Sequence, residues 1–185
     1  PRLGIDYACL KAVNPRLVYC ALTGYGETGP LRDKAGYDQV LQSLTGMCAM
    51  QGPDADHPQI LYGSVVDYYA ASMLAFAVSS ALFERSRTGE GRLVDVSLLR
   101  SALTMQSARF VWAEGEPPDV PRDMRSGGVT GIHPTKQGSL YLSANTPHFW
   151  AALCELAELG DLAADPRYDT VKKRAANAAQ IVPKL

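Results

Sequence analysis

The sequence predicts an α/β protein with a parallel sheet, followed by a smaller domain of α+β character. Two compact apolar runs of strand length, residues 16–23 and 93–98, alternate with helical patterns, which is typical of parallel α/β architecture. The closely spaced prolines of "GEPPDVP", residues 115–121, disfavour a helix and indicate an extended linker. The predicted large domain, linker and small domain cover residues 1–114, 115–125 and 126–185.

Local signals place the elements of the large domain. Asp6 can cap a short helix, which the pair Asn14-Pro15 ends. The run at residues 16–23 is apolar enough for a central strand covered on both faces, and the glycines of "GYGETGP" predict a tight turn directly after it. A helix is then predicted at residues 37–45 and a polar loop at residues 53–58. A long helix follows at residues 67–87 and is closed by "TGEGR". The last two predicted elements are a second strand at residues 93–98 and an amphipathic helix at residues 99–115.

The small domain is predicted from fewer signals. A glycine loop, "RSGGVTG", covers residues 125–131, and a strand is predicted at residues 138–144. Thr146 can cap the helix that follows. A short basic helix is predicted near residues 172–174, so this domain is expected to mix strands and helices.

Composition and charge exclude several classes of function. Lys and Arg number 18 against 19 for Asp and Glu, and the formal net charge of -1 does not favour nucleic acid as a partner. The four cysteines are scattered, without a C-x-x-C pair or a histidine at zinc-ligand spacing, so neither a disulfide framework nor a metal site is predicted. The uncharged run at residues 68–83 is shorter than the roughly twenty apolar residues that a bilayer requires. We therefore expect a cytoplasmic protein without a membrane segment, in which this run is a buried helix.

Asp67 is the only acid between residues 63 and 83, at the start of the long predicted helix. An aspartate there is favoured as an N-cap, because its carboxylate accepts hydrogen bonds from the free amides of the first turn. The same amide dipoles hold a carboxylate ionised, which is the state that a nucleophile or a base requires. The structural and the chemical interpretations are compatible.

The glycine turn after the first strand also has two interpretations. Glycines in such a turn are mostly required for backbone geometry, and neither a dinucleotide-binding nor a Walker motif is present. Ligands nevertheless bind at the carboxyl ends of strands in open parallel sheets. Gly127 and Gly128 are typical of a mobile turn, with a substrate lid as the alternative. The three histidines are assigned to loops or the surface, and no nucleophile-elbow sequence supports a serine triad.

Three segments carry a more specific signal, through both their residue sequences and their order along the chain. They are "NPRLVYCALTGYGETGPLRDKAGYD", "GSVVDYYAASMLAFAVSSALFERSRTGEGRLVDVSLL" and "HPTKQGSLYLSANTPHFWAALCELAELGDLAADPRYDT". Together they closely resemble the class III CoA transferases, the CaiB/BaiF family, over nearly the whole chain. That family includes formyl-CoA and carnitine CoA transferases and, as a relative, α-methylacyl-CoA racemase.

The resemblance implies a Rossmann-like large domain and a small α+β domain, both partial in this chain, and a homodimer whose subunits interlock like links of a chain. It places the catalytic nucleophile at Asp67. In the implied mechanism Asp67 attacks an acyl-CoA thioester to give an aspartyl anhydride, and the released CoA then forms an aspartyl-CoA thioester that a carboxylic acid acceptor resolves. Coenzyme A is thus the implied cofactor, as the acyl-CoA co-substrate, and no metal is implied.

The resemblance also implies binding roles. The residues aligned with the CoA-contacting turn of the family are Thr23, Gly24, Tyr25 and Gly26. Gly127 and Gly128 align with the glycine loop that closes over the aspartyl intermediates. Thr23 stands where formyl-CoA transferase has lysine, so a phosphate or thioester contact is absent or supplied elsewhere. Gln137-Gly138 replaces the Asp-Gly of many relatives and affects only a hairpin.

Two other functions compete with CoA transfer. The racemase branch pairs the equivalent aspartate with a histidine, but Tyr37 occupies that position here, and a phenol is a poor base near neutral pH. A non-catalytic fragment of the fold is the second alternative, since the first strands of the family and several of its basic CoA contacts are expected outside residues 1–185. We expect these residues alone to be inactive, and to be soluble only with further segments or a partner chain.

Overall fold

The structure is a computed structural model that describes residues 3–52, 56–111, 113–116 and 129–185. The chain divides into two compact units, Pro1–Asp123 and Met124–Leu185. The predicted linker lies outside the described residues except for Gly115 and Glu116, and the first four residues of the predicted glycine loop lie outside them as well.

The first unit combines a parallel pair of strands with helices. Its elements are α1 (Tyr7–Val13), β1 (Tyr19–Thr23), α2 (Asp38–Leu44), α3 (Met47–Gln51), α4 (Val65–Thr88), β2 (Leu93–Ser97), α5 (Leu98–Met105) and α6 (Ser107–Phe110). Strands β1 and β2 pair in parallel, with Tyr19 opposite Leu93 and Thr23 opposite Ser97. Both strands therefore end at the same edge, and the α/β class predicted from the sequence is confirmed.

Contacts at the start of β1 explain why this strand begins at Tyr19, three residues later than predicted. The side-chain oxygen of Asn14 accepts a hydrogen bond from the Arg16 amide at 3.0 Å, and the Asn14 carbonyl accepts one from the Leu17 amide at 3.0 Å. These bonds form a turn instead of a strand. A Cβ at Gly91 would lie 2.0 Å from the Leu17 carbonyl oxygen, so only glycine fits beside this turn.

The N-terminus of α1 and the C-terminus of α4 follow local signals closely. Asp6 caps α1 as predicted, through a hydrogen bond of 3.1 Å from the Cys9 amide to its carboxylate. Helix α4 ends at Thr88, and its C-cap residue Gly89 has a φ of 79°, in the left-handed region favoured by glycine, as the segment "TGEGR" predicts. The amphipathic helix predicted at residues 99–115 is instead two short helices, α5 and α6, which meet at Gln106.

Gln106 interrupts this helix because its side chain is committed to the interior. The amide nitrogen of the side chain donates to Thr45 Oγ1 at 3.0 Å and to the Ala102 carbonyl at 3.2 Å. Its backbone amide bonds the Leu103 carbonyl, three residues back, at 3.1 Å. The tightened turn ends α5, so the prediction of one continuous helix is wrong.

Helix α4 is mostly exposed within the described part of the chain, contrary to the expectation of a buried helix. Its buried side chains are Val66, Ala70 and Ala81, all within the described residues. Phe76 and Phe83 are 69% and 66% exposed. By length and composition alone α4 could also cross a membrane, a test that core helices of water-soluble proteins pass as well.

The second unit consists of a hairpin and a set of short helices. Its elements are β3 (Gly131–Thr135), β4 (Gly138–Leu142), α7 (Pro147–Leu156), α8 (Gly160–Ala164), α9 (Val171–Ala176), α10 (Ala178–Ile181) and a 3₁₀ helix, Val182–Lys184. Strands β3 and β4 are antiparallel. No strand was predicted at β3, which holds Pro134 at an edge of this two-stranded sheet, a position where proline is tolerated. Thr146 caps α7 as predicted, accepting a hydrogen bond of 3.2 Å from the Phe149 amide.

The core of the second unit is built around Trp150 and Cys154. Arg174, in the predicted basic helix, turns inward and is 3% exposed. Its guanidinium donates to the Tyr168 carbonyl at 2.8 Å and to the Ala144 carbonyl at 3.2 Å, and it lies 4.9 Å from the centre of the Trp150 ring. Burial lowers the pKa of this guanidinium. Arg174 thus acts as a structural side chain that joins α9 to the segment after β4.

Candidate active site

The turn at residues 23–26 begins where β1 ends. The Thr23 hydroxyl oxygen accepts a hydrogen bond of 2.9 Å from the Gly26 amide, which closes the turn locally. Gly26 is buried and has a φ of 97°, a conformation that a residue with a Cβ rarely adopts. The Gly24 carbonyl accepts a hydrogen bond of 2.9 Å from the Leu99 amide, so the turn is fastened to the first turn of α5.

Gly24 packs directly against Gly36, backbone to backbone. A Cβ built on Gly24 would lie 2.6 Å from the Cα of Gly36, and a Cβ on Gly36 would lie 2.6 Å from the Cα of Gly24. Any larger residue at either position would therefore separate the two segments. Because Gly36 comes two residues before Asp38, this contact places the start of α2 beside the glycine turn.

Asp38 caps the N-terminus of α4 from a distant position in the sequence. Its Oδ2 accepts hydrogen bonds from the amide of Val66 at 2.6 Å and from the amide of Asp67 at 3.1 Å. The side chain is 2% exposed. A buried carboxylate is stable only when it is hydrogen-bonded, and two amides of the first turn of a helix are strong donors for it.

Gln42 completes this buried arrangement one helical turn after Asp38. Its side-chain nitrogen donates to Asp38 Oδ1 at 2.5 Å, and its side-chain oxygen accepts from the Leu61 amide at 2.9 Å. The residue is fully buried. Both oxygens of Asp38 are thereby engaged, and the segment before α4 is tied to α2.

Asp67 lies in the first turn of α4 and is partly buried. Burial raises the pKa of its carboxyl, and the nearby charge of Asp38 raises it further. A hydrogen bond with the Ser64 side chain acts in the opposite direction. The net effect is a carboxyl group that holds its proton to a higher pH than an ordinary aspartate.

Two expectations about Asp67 are therefore corrected. The N-cap residue of α4 is Ser64, and Asp67 follows three residues later inside the helix. The helix start was also expected to favour the ionised form, but the pKa is raised, because burial and Asp38 outweigh the hydrogen bond with Ser64. Asp38 has the capping role that the sequence assigned to Asp67.

The structure brings part of the predicted site together. Tyr25, from the glycine turn, and Val65, from the start of α4, both pack against the hydrophobic core that contains Leu41 and Val66. The turn and the first turn of α4 therefore border one core. Gly127 and Gly128 lie outside the described residues.

Sequence reasoning missed the contributions of Asp38 and Gln42. The available signal was their spacing, because polar residues four apart lie on the same face of a helix. Their partner, the first turn of α4, is 28 residues further along the chain, and no local pattern identifies it. Within the described residues, no group of three His, Cys, Asp or Glu side chains is arranged to hold a metal ion.

Comparison with known proteins gives consistent matches. The model of CoA-transferase family III matches residues 1–185. The chain is 31% identical over 188 residues to the succinate–glutarate CoA-transferase of Agrobacterium fabrum, with 97% of this chain and 46% of that protein covered. It is 30% identical over 188 residues to the acetyl-CoA:oxalate CoA-transferase of Acetobacter aceti, with 95% and 46% covered.

A solved structure gives the same result. The crystal structure of a CaiB/BaiF family protein from Brucella suis matches with a TM-score of 0.71 and 29% identity, over 99% of this chain and 50% of that one. The chain thus spans about half the length of the relatives that it matches.

Proposed function

Because the chain belongs to CoA-transferase family III, we propose that the protein transfers CoA from an acyl-CoA thioester to a carboxylic acid, with Asp67 as the covalent nucleophile. The observation that supports this role most directly is the position of Asp67, partly buried in the first turn of α4 and held there by a buried partner. Its raised pKa adds nucleophilic strength to the ionised form, since the nucleophilicity of a group rises with its basicity.

The reaction proceeds through balanced acyl transfers. Asp67 attacks the thioester carbonyl carbon, the C–S bond breaks, and CoA leaves as a thiolate while an aspartyl anhydride forms. The thiolate then attacks the aspartyl carbonyl, which releases the donor acid and leaves an aspartyl-CoA thioester. The acceptor carboxylate displaces CoA from this thioester, and CoA attacks the acceptor side of the new anhydride. Asp67 is regenerated as a carboxylate, with no net change in protons.

The glycine turn is the proposed contact surface for CoA. Gly26 carries no side chain, and a Cβ there would meet only the Arg100 side chain, at 3.9 Å, so its backbone allows a ligand to approach closely. The turn lies at the carboxyl end of a strand in a parallel sheet, where ligands bind in this class of fold. Thr23 and Tyr25 complete the turn, with the Thr23 hydroxyl already engaged by the Gly26 amide.

Succinyl-CoA is the first donor to test, because the relative from Agrobacterium fabrum is named a succinate–glutarate CoA-transferase. The complete natural polypeptide that carries this sequence would be incubated with succinyl-CoA and trapped with hydroxylamine, and the modified peptide would be mapped by mass spectrometry. We expect the modification at Asp67 and its loss in Asp67→Asn.

The matched control is Asp33→Asn, the same chemical change at an acid whose side chain is 88% exposed, and this variant should still be labelled at Asp67. Modification at another carboxylate, or full transfer activity in Asp67→Asn, would contradict the proposal. Titration with CoA alone distinguishes a non-catalytic CoA-binding protein, which would bind CoA without becoming labelled. The interlocked homodimer and the cytoplasmic location remain predictions from the sequence.

A further inference from the structure

We propose that Asp38 is a positioning residue, which together with Gln42 holds the first turn of α4, and hence Asp67, in the geometry that acyl transfer requires. This inference rests on the proposed role of Asp67 as the nucleophile. Its basis is a buried hydrogen-bonded pair whose evident function is to fix one helix start.

The helix start does not provide its own cap. Ser64 occupies the N-cap position of α4, yet its side chain makes no capping hydrogen bond to a backbone amide. The amides of Val66 and Asp67 are bonded by Asp38 instead, at 2.6 Å and 3.1 Å. Without Asp38 these two amides would lose their acceptor, and the first turn would lose the contact that sets its direction.

Gln42 fixes the orientation of the Asp38 carboxylate. It donates to Oδ1 at 2.5 Å, which leaves Oδ2 directed at the amides of α4. Its own side-chain oxygen accepts from the Leu61 amide at 2.9 Å, three residues before Ser64. The pair therefore holds both the segment that enters α4 and the first turn of the helix itself.

The pair also connects Asp67 to the glycine turn. Gly24 contacts Gly36 backbone to backbone, Gly36 precedes Asp38 by two residues, and Asp38 bonds the Asp67 amide. This route runs through one backbone contact, two residues of chain and one hydrogen bond of 3.1 Å. A displaced Asp38 would shift Asp67 relative to the turn proposed to bind CoA, and displacements of about 1 Å can cost about a hundredfold in rate.

Asp38 is a positioning and not a catalytic residue. Its two oxygens accept three hydrogen bonds and the residue is 2% exposed, so its carboxylate is not accessible to a substrate. Its effect on the reaction is exerted through the amide and the backbone of Asp67.

Exchange of the two partners tests this inference. In Asp38→Asn, the remaining oxygen can accept from the amides of α4, but the new amide group faces the side-chain amide of Gln42, so two donors oppose each other. In Gln42→Glu, two carboxylates face each other. In the double variant, the new amide at position 38 donates to the new carboxylate at position 42. This carboxylate still accepts from the Leu61 amide, so the hydrogen bonds of the pair are restored, apart from the 3.4 Å bond that Gln42 donates to the Leu61 carbonyl.

The readout is the single-turnover rate constant for acylation of Asp67 by succinyl-CoA in the complete natural polypeptide. Each single variant should slow acylation by about tenfold or more, and the double variant should recover to within about threefold of wild type. The dissociation constant for CoA should change by less than about threefold in all of them, because the glycine turn is unaltered. Asp33→Asn serves as the control and should acylate at the wild-type rate.

Two outcomes would overturn the inference. One is a folded Asp38→Asn that acylates as fast as wild type, and the other is a double variant that recovers no more than its single variants. If a single variant does not fold, recovery in the folded double variant decides the matter by the same criterion. Asp67→Asn separates this inference from the proposed function. Transfer activity that survives in Asp67→Asn refutes the role of Asp67 as the nucleophile. Loss of activity in Asp67→Asn, together with an unaffected Asp38→Asn, refutes only the positioning role of Asp38.

Discussion

At Asp67, opposing influences act on one carboxyl group. The first turn of a helix and the hydrogen bond with Ser64 favour the ionised form, whereas partial burial and the charge of Asp38 favour the protonated form. Burial and Asp38 prevail, and the pKa is raised. Asp38, the buried carboxylate that caps α4, therefore also raises the pKa of the neighbouring Asp67.

This balance predicts that Asp67→Asn stabilises the protein at neutral pH. A raised pKa means that the folded state binds the proton more tightly than the unfolded state, so the free energy of unfolding falls as the pH rises from the ordinary value of 3.8 through the raised pKa. The loss of stability is complete at pH values above the raised pKa and absent below pH 3.8. The Asn side chain resembles the uncharged carboxyl group and avoids this loss.

Urea unfolding of wild type and Asp67→Asn on both sides of this window would measure the effect. The stabilisation should be present at neutral pH and disappear on the acid side. Asp33→Asn, at an exposed acid, should stay within about 0.5 kcal/mol of wild type. A neutral-pH destabilisation by Asp67→Asn would show that the helix start and Ser64 dominate instead.

Among the elements, the glycine turn and the start of α2 depend on the contact between Gly24 and Gly36. Neither residue can carry a side chain there, because a Cβ on Gly24 would lie 2.6 Å from a backbone atom that cannot move independently. The close approach lets α2 reach the N-terminus of α4. One pair of small residues thus positions the three segments that form the candidate site.

Gly24→Ala should therefore destabilise the protein and weaken CoA binding. Forcing a methyl group between two backbones costs about 1–3 kcal/mol, and the displaced turn would present a different surface to CoA. Urea unfolding and calorimetric titration with CoA would measure the two effects.

The control for this prediction is Gly160→Ala, at the first residue of α8, where a Cβ meets no atom within 4 Å. That variant should be neutral or more stable by up to about 1 kcal/mol. Equal unfolding midpoints for Gly24→Ala and wild type would refute the steric interpretation.

At the scale of the whole molecule, α4 exposes apolar side chains that an ordinary folded chain would bury. Phe76 is 69% exposed and Phe83 is 66% exposed, although both lie in the middle or last third of a long helix. Within the described residues of the first unit, β1 and β2 pair only with each other. Apolar faces and open strand edges of this kind are usually covered in the functional protein.

We expect this face of α4 to be covered in the active protein, by further polypeptide or by a second copy. Phe76→Gln should then lower the free energy of unfolding of the complete natural polypeptide by about 2–4 kcal/mol. An effect below about 0.5 kcal/mol would contradict the prediction, because that is the usual effect of a substitution at a side chain that stays exposed.

Elements whose signals are local could be predicted from the sequence alone. Asp6 and Thr146 cap the N-termini of their helices, and Gly89 caps a C-terminus. These caps use hydrogen bonds or backbone conformations within about four residues, so neighbouring residues in the sequence encode them. The order of the segments likewise indicated the alternation of strands and helices. Their residue sequences showed the resemblance to CoA transferases. The confirmed fold class and family rest on these signals.

The partners of buried polar side chains that bond to distant segments could not be predicted from the sequence. Asp38 caps a helix 28 residues away, Gln106 ends α5 by bonding Thr45 across 61 residues, and Arg174 turns inward to carbonyls 6 and 30 residues away. The common reason is desolvation, since a buried polar group must find a partner and packing determines which segment supplies it. The same packing makes Ser64 the N-cap residue of α4 and raises the pKa of Asp67, because burial and the charge of Asp38 come from contacts that no local pattern records.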